Sequence, residues 1–91
     1  MKLVWTQEAL EDRRIVYSYI EAENPRAAIN IDELFAEKAN LLRQHPHLGR
    51  TGRIENTREF VVHNNYLLVY NIKNDVVCIL RLMHAARQFH A

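Results

Sequence analysis

Residues 58–83 read Arg58-Glu59-Phe60-Val61-Val62-His63, then Asn64-Asn65, then Tyr66-Leu67-Leu68-Val69-Tyr70-Asn71-Ile72, and after Lys73-Asn74-Asp75 the run Val76-Val77-Cys78-Ile79-Leu80-Arg81-Leu82-Met83. The three runs are rich in β-branched and aromatic residues, and the breaks between them are Asn and Asp, which favour turns. Strands are therefore expected over Arg58–His63, Tyr66–Ile72 and Val76–Met83. Breaks this short cannot carry a crossover, so the strands form an antiparallel meander. The third run is apolar on both faces until Arg81, which predicts a central place in the sheet with helices over one side. Tyr66 and Tyr70 share a parity and so a face. With Trp5 and Phe60 they are expected to be core or sheet-face residues rather than a platform for stacking bases.

Upstream, His47-Leu48-Gly49-Arg50-Thr51-Gly52-Arg53 is a loop that holds both glycines of the chain. Before it the period changes from two to between three and four. Asn24-Pro25 is a helix start, with Asn at the cap and Pro in the first turn. The helix it opens runs to about Gln44, is stopped by Pro46, and has Ala27, Ile31, Leu34, Phe35, Leu41 and Leu42 as its apolar stripe. An earlier helix begins after Thr6, with Glu8 in its first turn, and runs to about Ala22. Its stripe is Ala9, Val16 and Ile20, flanked by Leu10 and Tyr17. The two helices, joined by a very short connection, form an antiparallel hairpin. Lys2-Leu3-Val4-Trp5 is a short strand that lies at an edge or beside the last strand, and residues from His84 to Ala91 form a short tail of about one helical turn. The expected fold is α+β, in the order β-α-α-β-β-β: an N-terminal strand, then an antiparallel helical hairpin packed on one face of a small, mainly antiparallel sheet. The other face is left uncovered.

The chain has 91 residues, enough for one domain spanning 1–91 with a small core. A scaffold of this size has no room for a deep substrate cavity, so any chemistry sits on an open face or is completed by a partner. The single cysteine, Cys78, excludes a disulfide framework and lies in an apolar run, where a buried thiol is expected. The N-terminus has no signal-peptide pattern and no segment is long and apolar enough to span a membrane, so the cytoplasm is the expected location. Net charge is +1, but residues 1–47 carry six Lys or Arg against eight Asp or Glu, whereas residues 48–91 carry six against three. Five of those last six are arginines, whose planar fork suits phosphate and carboxylate. The second half is thus expected to carry the partner-facing surface.

Two groups of residues are candidates. Arg58 opens the first meander strand, and Arg81, His84 and Arg87 close the last. At one sheet edge the four would form a site in which arginines neutralise charge on a phosphate and His84 moves a proton. Alternatively, Arg58 and Arg81 pair with Glu55 or Glu59, and His84 caps the strand. Arg50 and Arg53 are either phosphate contacts or solvated loop charges. Gly49-Arg50-Thr51-Gly52-Arg53 lacks the spacing of a nucleotide-binding glycine loop. His45, His47, His63, His84 and His90 do not fall into a metal-ligand spacing, and no Ser-His-Asp order or nucleophile elbow stands out. No metal or other cofactor is expected. Glu11-Asp12 and Asp32-Glu33 lie on helices and read as solvated faces.

Leu48-Gly49-Arg50, Thr57-Arg58-Glu59-Phe60, Tyr66-Leu67-Leu68-Val69-Tyr70 and Leu80-Arg81-Leu82-Met83-His84-Ala85-Ala86-Arg87-Gln88, together with Trp5-Thr6 and Ala9, resemble the ParE/RelE toxin superfamily of bacterial type II toxin–antitoxin systems, on its ParE or plasmid-stabilisation side. The resemblance covers almost the whole chain. It implies the same helical hairpin on a small sheet, and a cognate antitoxin that wraps the toxin and, through its own DNA-binding domain, reaches operator DNA. It also implies one of two activities. ParE-like members poison DNA gyrase by stabilising a cleaved gyrase–DNA complex. RelE-like members are endoribonucleases that cut mRNA on the ribosome. In the first case Arg50, Arg53, Arg58, Arg81, His84 and Arg87 are partner-binding residues. In the second, Arg58, Arg81 and His84 are catalytic. The RelE pattern usually has a tyrosine near the C-terminus, where this chain has Phe89, which cannot exchange a proton. A third alternative is an inactive relative that keeps antitoxin binding and operon regulation.

Overall fold

The computed structural model describes residues 1–85. In chain order the elements are β1 (Lys2–Trp5), α1 (Gln7–Glu21), α2 (Pro25–Gln44), β2 (Arg50–Thr51), β3 (Arg58–His63), β4 (Tyr66–Lys73) and β5 (Val76–His84). They form one five-stranded sheet in the order β1-β5-β4-β3-β2. β1 lies parallel to β5 and every other pairing is antiparallel. The expected helical hairpin and meander are present, and the N-terminal strand takes the place beside the last strand. β2 was not foreseen: two residues of the glycine loop pair with Arg58 and Glu59.

Local chemistry sets the boundaries. The Thr6 side chain accepts a hydrogen bond from the Ala9 N–H, and the Asn24 side chain accepts one from the Ala27 N–H. Each cap satisfies a first-turn donor that the helix leaves without a partner. Asn74 and Asp75 have φ of 52° and 64°. Asn and Asp tolerate this left-handed conformation better than most residues, and two in succession match the twist of a tight hairpin.

The core lies between the hairpin and the sheet. Ala9, Phe35, Ala39 and Leu42 from the helices meet Leu68, Tyr70, Val77, Ile79 and Leu82 from the strands. Tyr66 and Tyr70 both join this cluster, as their shared parity requires. The helical stripes are shifted from expectation. Leu10 and Leu41 are exposed, while Ala28 and Ala39 are fully buried. Small residues take the inward positions and the larger side chains at Leu10 and Leu41 turn outward. Asp32, read as solvated, binds Arg13 at 2.9 Å, and the same guanidinium lies 4.6 Å from the centre of the Trp5 ring. One arginine thereby ties α1, α2 and β1 together.

β5 is an interior strand, but the middle of the sheet belongs to β4, in which all residues from Tyr66 to Tyr70 are buried. No helix or strand of the described residues lies over the far face, yet Glu59, Leu67 and Val69 are buried there. Cys78 faces the same way and is half-buried, not enclosed. Its register partners, Val4 and Asn71, share that face because β1 and β4 place their inward residues against the helices.

β1 and β5 differ in length, and the difference leaves part of a strand edge without a strand beside it. β1 ends at Trp5, opposite Ile79, and β5 runs on to His84. The chain of β1 turns into α1 at that point: the Thr6 N–H bonds the Ile79 carbonyl at 3.0 Å, and the Thr6 hydroxyl donates to the Leu80 carbonyl at 2.9 Å. Beyond it the outer edge of β5 faces α1 instead of a strand.

Candidate functional site

The arginine loop is assembled on two buried anchors. The Tyr70 hydroxyl donates to the Pro46 carbonyl at 2.6 Å and accepts from the Gly49 N–H at 2.9 Å. A Cβ on Gly49 would lie 2.6 Å from that hydroxyl and 2.9 Å from the Glu59 carbonyl oxygen, so only glycine permits the approach. Burial raises the Tyr70 pKa above its ordinary 10.0, and the Gly49 hydrogen bond and the charge of Arg58 act in the opposite direction. Arg58 donates to the Gly49 carbonyl at 2.7 Å.

Glu59 is the second anchor. Its side chain is 1% exposed, and its carboxylate accepts from the Arg50 guanidinium at 3.1 Å and from the Arg53 N–H at 3.2 Å. The Arg53 guanidinium stands 4.0 Å away. A buried carboxylate needs such partners. Around it the loop closes on itself, with the Gly52 N–H on the Thr57 carbonyl and the Thr57 hydroxyl on the Ile54 carbonyl. The Arg50 and Arg53 side chains remain 60% and 45% exposed.

A second feature lies at the other edge of the sheet. Asp12 of α1 accepts from Arg81 Nε at 2.8 Å and from its terminal nitrogen at 3.0 Å, and it also accepts from the Leu82 N–H at 3.0 Å. The hydrogen bond to Asp12 raises the Arg81 pKa. A register shift beside Val69 and Tyr70 gives β5 one extra residue there, Leu80, just before Arg81. Past this pair a groove of about 580 Å³ runs between α1 and β5. Ile15, Val16 and Tyr19 form one wall, Leu82 and Met83 the other, and Tyr66 and His84 line it where β5 ends. Tyr19 is 78% exposed and Ile15 53%, an apolar strip in line with the groove. The His84 ring stands edge-on to Tyr66 at 5.1 Å, and Tyr66 in turn packs on Phe35 at 5.4 Å.

The six candidate residues therefore do not form one cluster. Arg50, Arg53 and Arg58 gather at the β2 edge. Arg81 and His84 line the groove beside α1. Arg87 lies outside the described residues. Neither arginine takes the alternative partner weighed for it: Arg58 binds the Gly49 carbonyl and Arg81 binds Asp12, while Glu59 takes Arg50 and Arg53. Asp12, expected on a solvated face, binds β5 instead, because helical spacing shows that it is off the core face but not that the edge of β5 passes within its reach. Removing that carboxylate is expected to cost about 1–2 kcal/mol, since two charge-assisted bonds and a strand N–H lose their acceptor on a half-exposed arginine. Urea unfolding of Asp12→Ala, compared with Asp12→Asn, which keeps an acceptor for Leu82, measures it.

The sequence pattern of the family described as "ParE toxin of type II toxin-antitoxin system, parDE" matches residues 3–89. The chain belongs to the ParE toxin family. Its ParE-type sequence is 36% identical over 89 residues to a protein of Sinorhizobium fredii named as toxin Y4kP, covering 97% of this chain and 92% of the relative. It is 34% identical over 86 residues to Toxin RelE2 of Caulobacter vibrioides, covering 94% and 97%. Among solved structures, a chain of the chromosomal ParDE toxin–antitoxin system of P. aeruginosa superposes with a TM-score of 0.85 at 22% identity, covering 92% of this chain and 95% of that one. A chain of the toxin–antitoxin complex RelBE2 of Mycobacterium tuberculosis gives 0.61 at 25% identity, covering 93% and 91%. This ParE-family chain is thus a toxin of a type II toxin–antitoxin system. No helix of its described residues is long and apolar enough to cross a membrane.

Proposed function

We propose that this toxin acts as a protein inhibitor of DNA gyrase, holding a cleaved gyrase–DNA complex, and that a cognate antitoxin neutralises it. The observation that carries the first part is the separation of Arg58, at the β2 edge, from Arg81 and His84, which line the groove beside α1. Transfer of a proton and neutralisation of a phosphate require groups within hydrogen-bond reach of one reacting centre. Here Arg58 is held at the Gly49 carbonyl near the β2 edge, Arg81 is held by Asp12 at the β5 edge, and His84 stacks on the end of the core. That arrangement favours contact surfaces over a catalytic centre. The groove between α1 and the open edge of β5 suits the antitoxin. It offers apolar walls for a helix or an extended segment. Operator DNA is then reached through the antitoxin.

The similarity to Toxin RelE2 supports a second reading, a ribosome-dependent endoribonuclease using Arg58, Arg81 and His84. The two readings separate in cells. Expressed without antitoxin, the toxin is expected to arrest growth and induce the DNA-damage response, and His84→Ala is expected to retain most of both. mRNA cleavage without DNA damage, abolished by His84→Ala, would establish the second reading instead. Unaffected growth would indicate an inactive relative.

A further inference from the structure

We infer that the loop from Leu48 to Thr57, with Val61 of β3, is the face that engages the toxin's target, and that the target presents an acidic protein surface there. This rests on the reading of the chain as an inhibitor of a large enzyme, and it assigns target and antitoxin to opposite edges of the sheet. Three observations carry it.

The first is charge. Between Leu48 and Val61 the chain has Arg50, Arg53 and Arg58 against Glu55 and Glu59. Glu59 is buried beneath the loop and pairs with Arg50 and Arg53, so the three arginines against two glutamates leave the segment with a net +1, and the side chains of Arg50 and Arg53 stay 60% and 45% exposed beside it. Glu59 holds both arginines by one side, which orders them in advance and lowers the entropy lost on binding.

The second is apolar exposure. Leu48 is 49% exposed, Ile54 49% and Val61 52%. Val61 shares the outer face of β3 with Glu59, two residues along the strand. A phosphodiester backbone has no use for such side chains. A protein surface buries them, and arginines beside apolar groups are a usual composition for a protein interface. Carboxylates of the partner match the guanidinium forks.

The third is rigidity. The Tyr70–Gly49–Pro46 bonds, the Arg58–Gly49 bond, the β2–β3 pairing and the Gly52–Thr57 bond fix the loop to the sheet. A surface held this firmly docks with little rearrangement.

The test uses the full chain, purified gyrase without DNA, and the cognate antitoxin. Arg50→Gln combined with Arg53→Gln removes both charges and keeps the main-chain N–H of residue 53 on Glu59. Val61→Asp is an independent second variant. Each is expected to bind gyrase about 100-fold more weakly and the antitoxin as tightly as the wild type, with wild-type gyrase binding weakening at high salt. Unchanged gyrase affinity in both variants overturns the inference. So does a loss seen only when DNA is present, which would make nucleic acid the occupant, or a parallel loss of antitoxin binding, which would place both partners on one face. If wild-type toxin does not bind gyrase, the gyrase reading fails and growth arrest decides the surface. Variants that no longer arrest growth yet bind antitoxin support the loop as the face for another target, whereas variants that arrest growth normally overturn it.

Discussion

Phe35→Ala is expected to remove about 3–5 kcal/mol of folding free energy. Phe35 is fully buried at the middle of α2, packs edge-on to Tyr66 at 5.4 Å, and joins the helical hairpin to β4. Truncation deletes the ring from the densest part of a small core, and the neighbours that would have to fill the space are held by the sheet. A domain of this length has roughly 5–14 kcal/mol in total, so the variant should be partly unfolded at growth temperature. Its urea midpoint should fall steeply with little change in slope. Because Tyr66 leans on Phe35 and also lines the groove, antitoxin should rescue the fold by mass action. A loss below about 1 kcal/mol would mean that the hairpin is not what holds the sheet.

Tyr70→Phe is expected to cost about 2–4 kcal/mol, because it leaves the Gly49 N–H and the Pro46 carbonyl without the hydroxyl that serves both. The effect carries a pH signature. Burial raises the Tyr70 pKa in the folded protein. A raised pKa means that the contribution is fully present below the unfolded value of about 10 and is lost as pH climbs through the folded value. The wild type should therefore lose a share of its stability above about pH 10, and Tyr70→Phe should lack that share. Ultraviolet titration should show a tyrosine component displaced above the ordinary value, and that component should vanish in the variant. An unchanged titration curve would contradict the buried hydroxyl. The loop arginines ride on this contact, so the variant should also bind the target more weakly than its stability loss alone explains.

The elements were legible wherever a periodic run met a cap or turn residue. Thr6, Asn24-Pro25, Asn64-Asn65 and Asn74-Asp75 mark real boundaries, and the parity of Tyr66 and Tyr70 placed both in the core. β2 was not legible, because two residues that pair only after β3 exists leave no period of their own. Nor was the choice between Leu41 and Ala39 as the inward residue of α2. Both lie near the same stripe, and the packing that selects Ala39 forms only in the assembled core. For the candidate site, the grouping of the arginines was not legible. Strand ends from one meander were expected to converge, yet Arg58 and Arg81 sit on strands separated by β4 and are drawn to Gly49 and Asp12. Their partners come from the loop before β2 and from α1, and these long-range contacts have no local signal. Glu59 was similarly opaque. A glutamate on an exposed-looking strand face is buried and pairs with Arg50 and Arg53, which reach it from the preceding loop.

The most direct measurement incubates antitoxin-free toxin with purified gyrase, supercoiled plasmid and ATP, and then denatures and digests the protein. Linear DNA that requires both toxin and gyrase, and that disappears when antitoxin is added first, is the predicted result. Intact plasmid with folded toxin that still arrests growth, together with cut mRNA on programmed ribosomes, would contradict it.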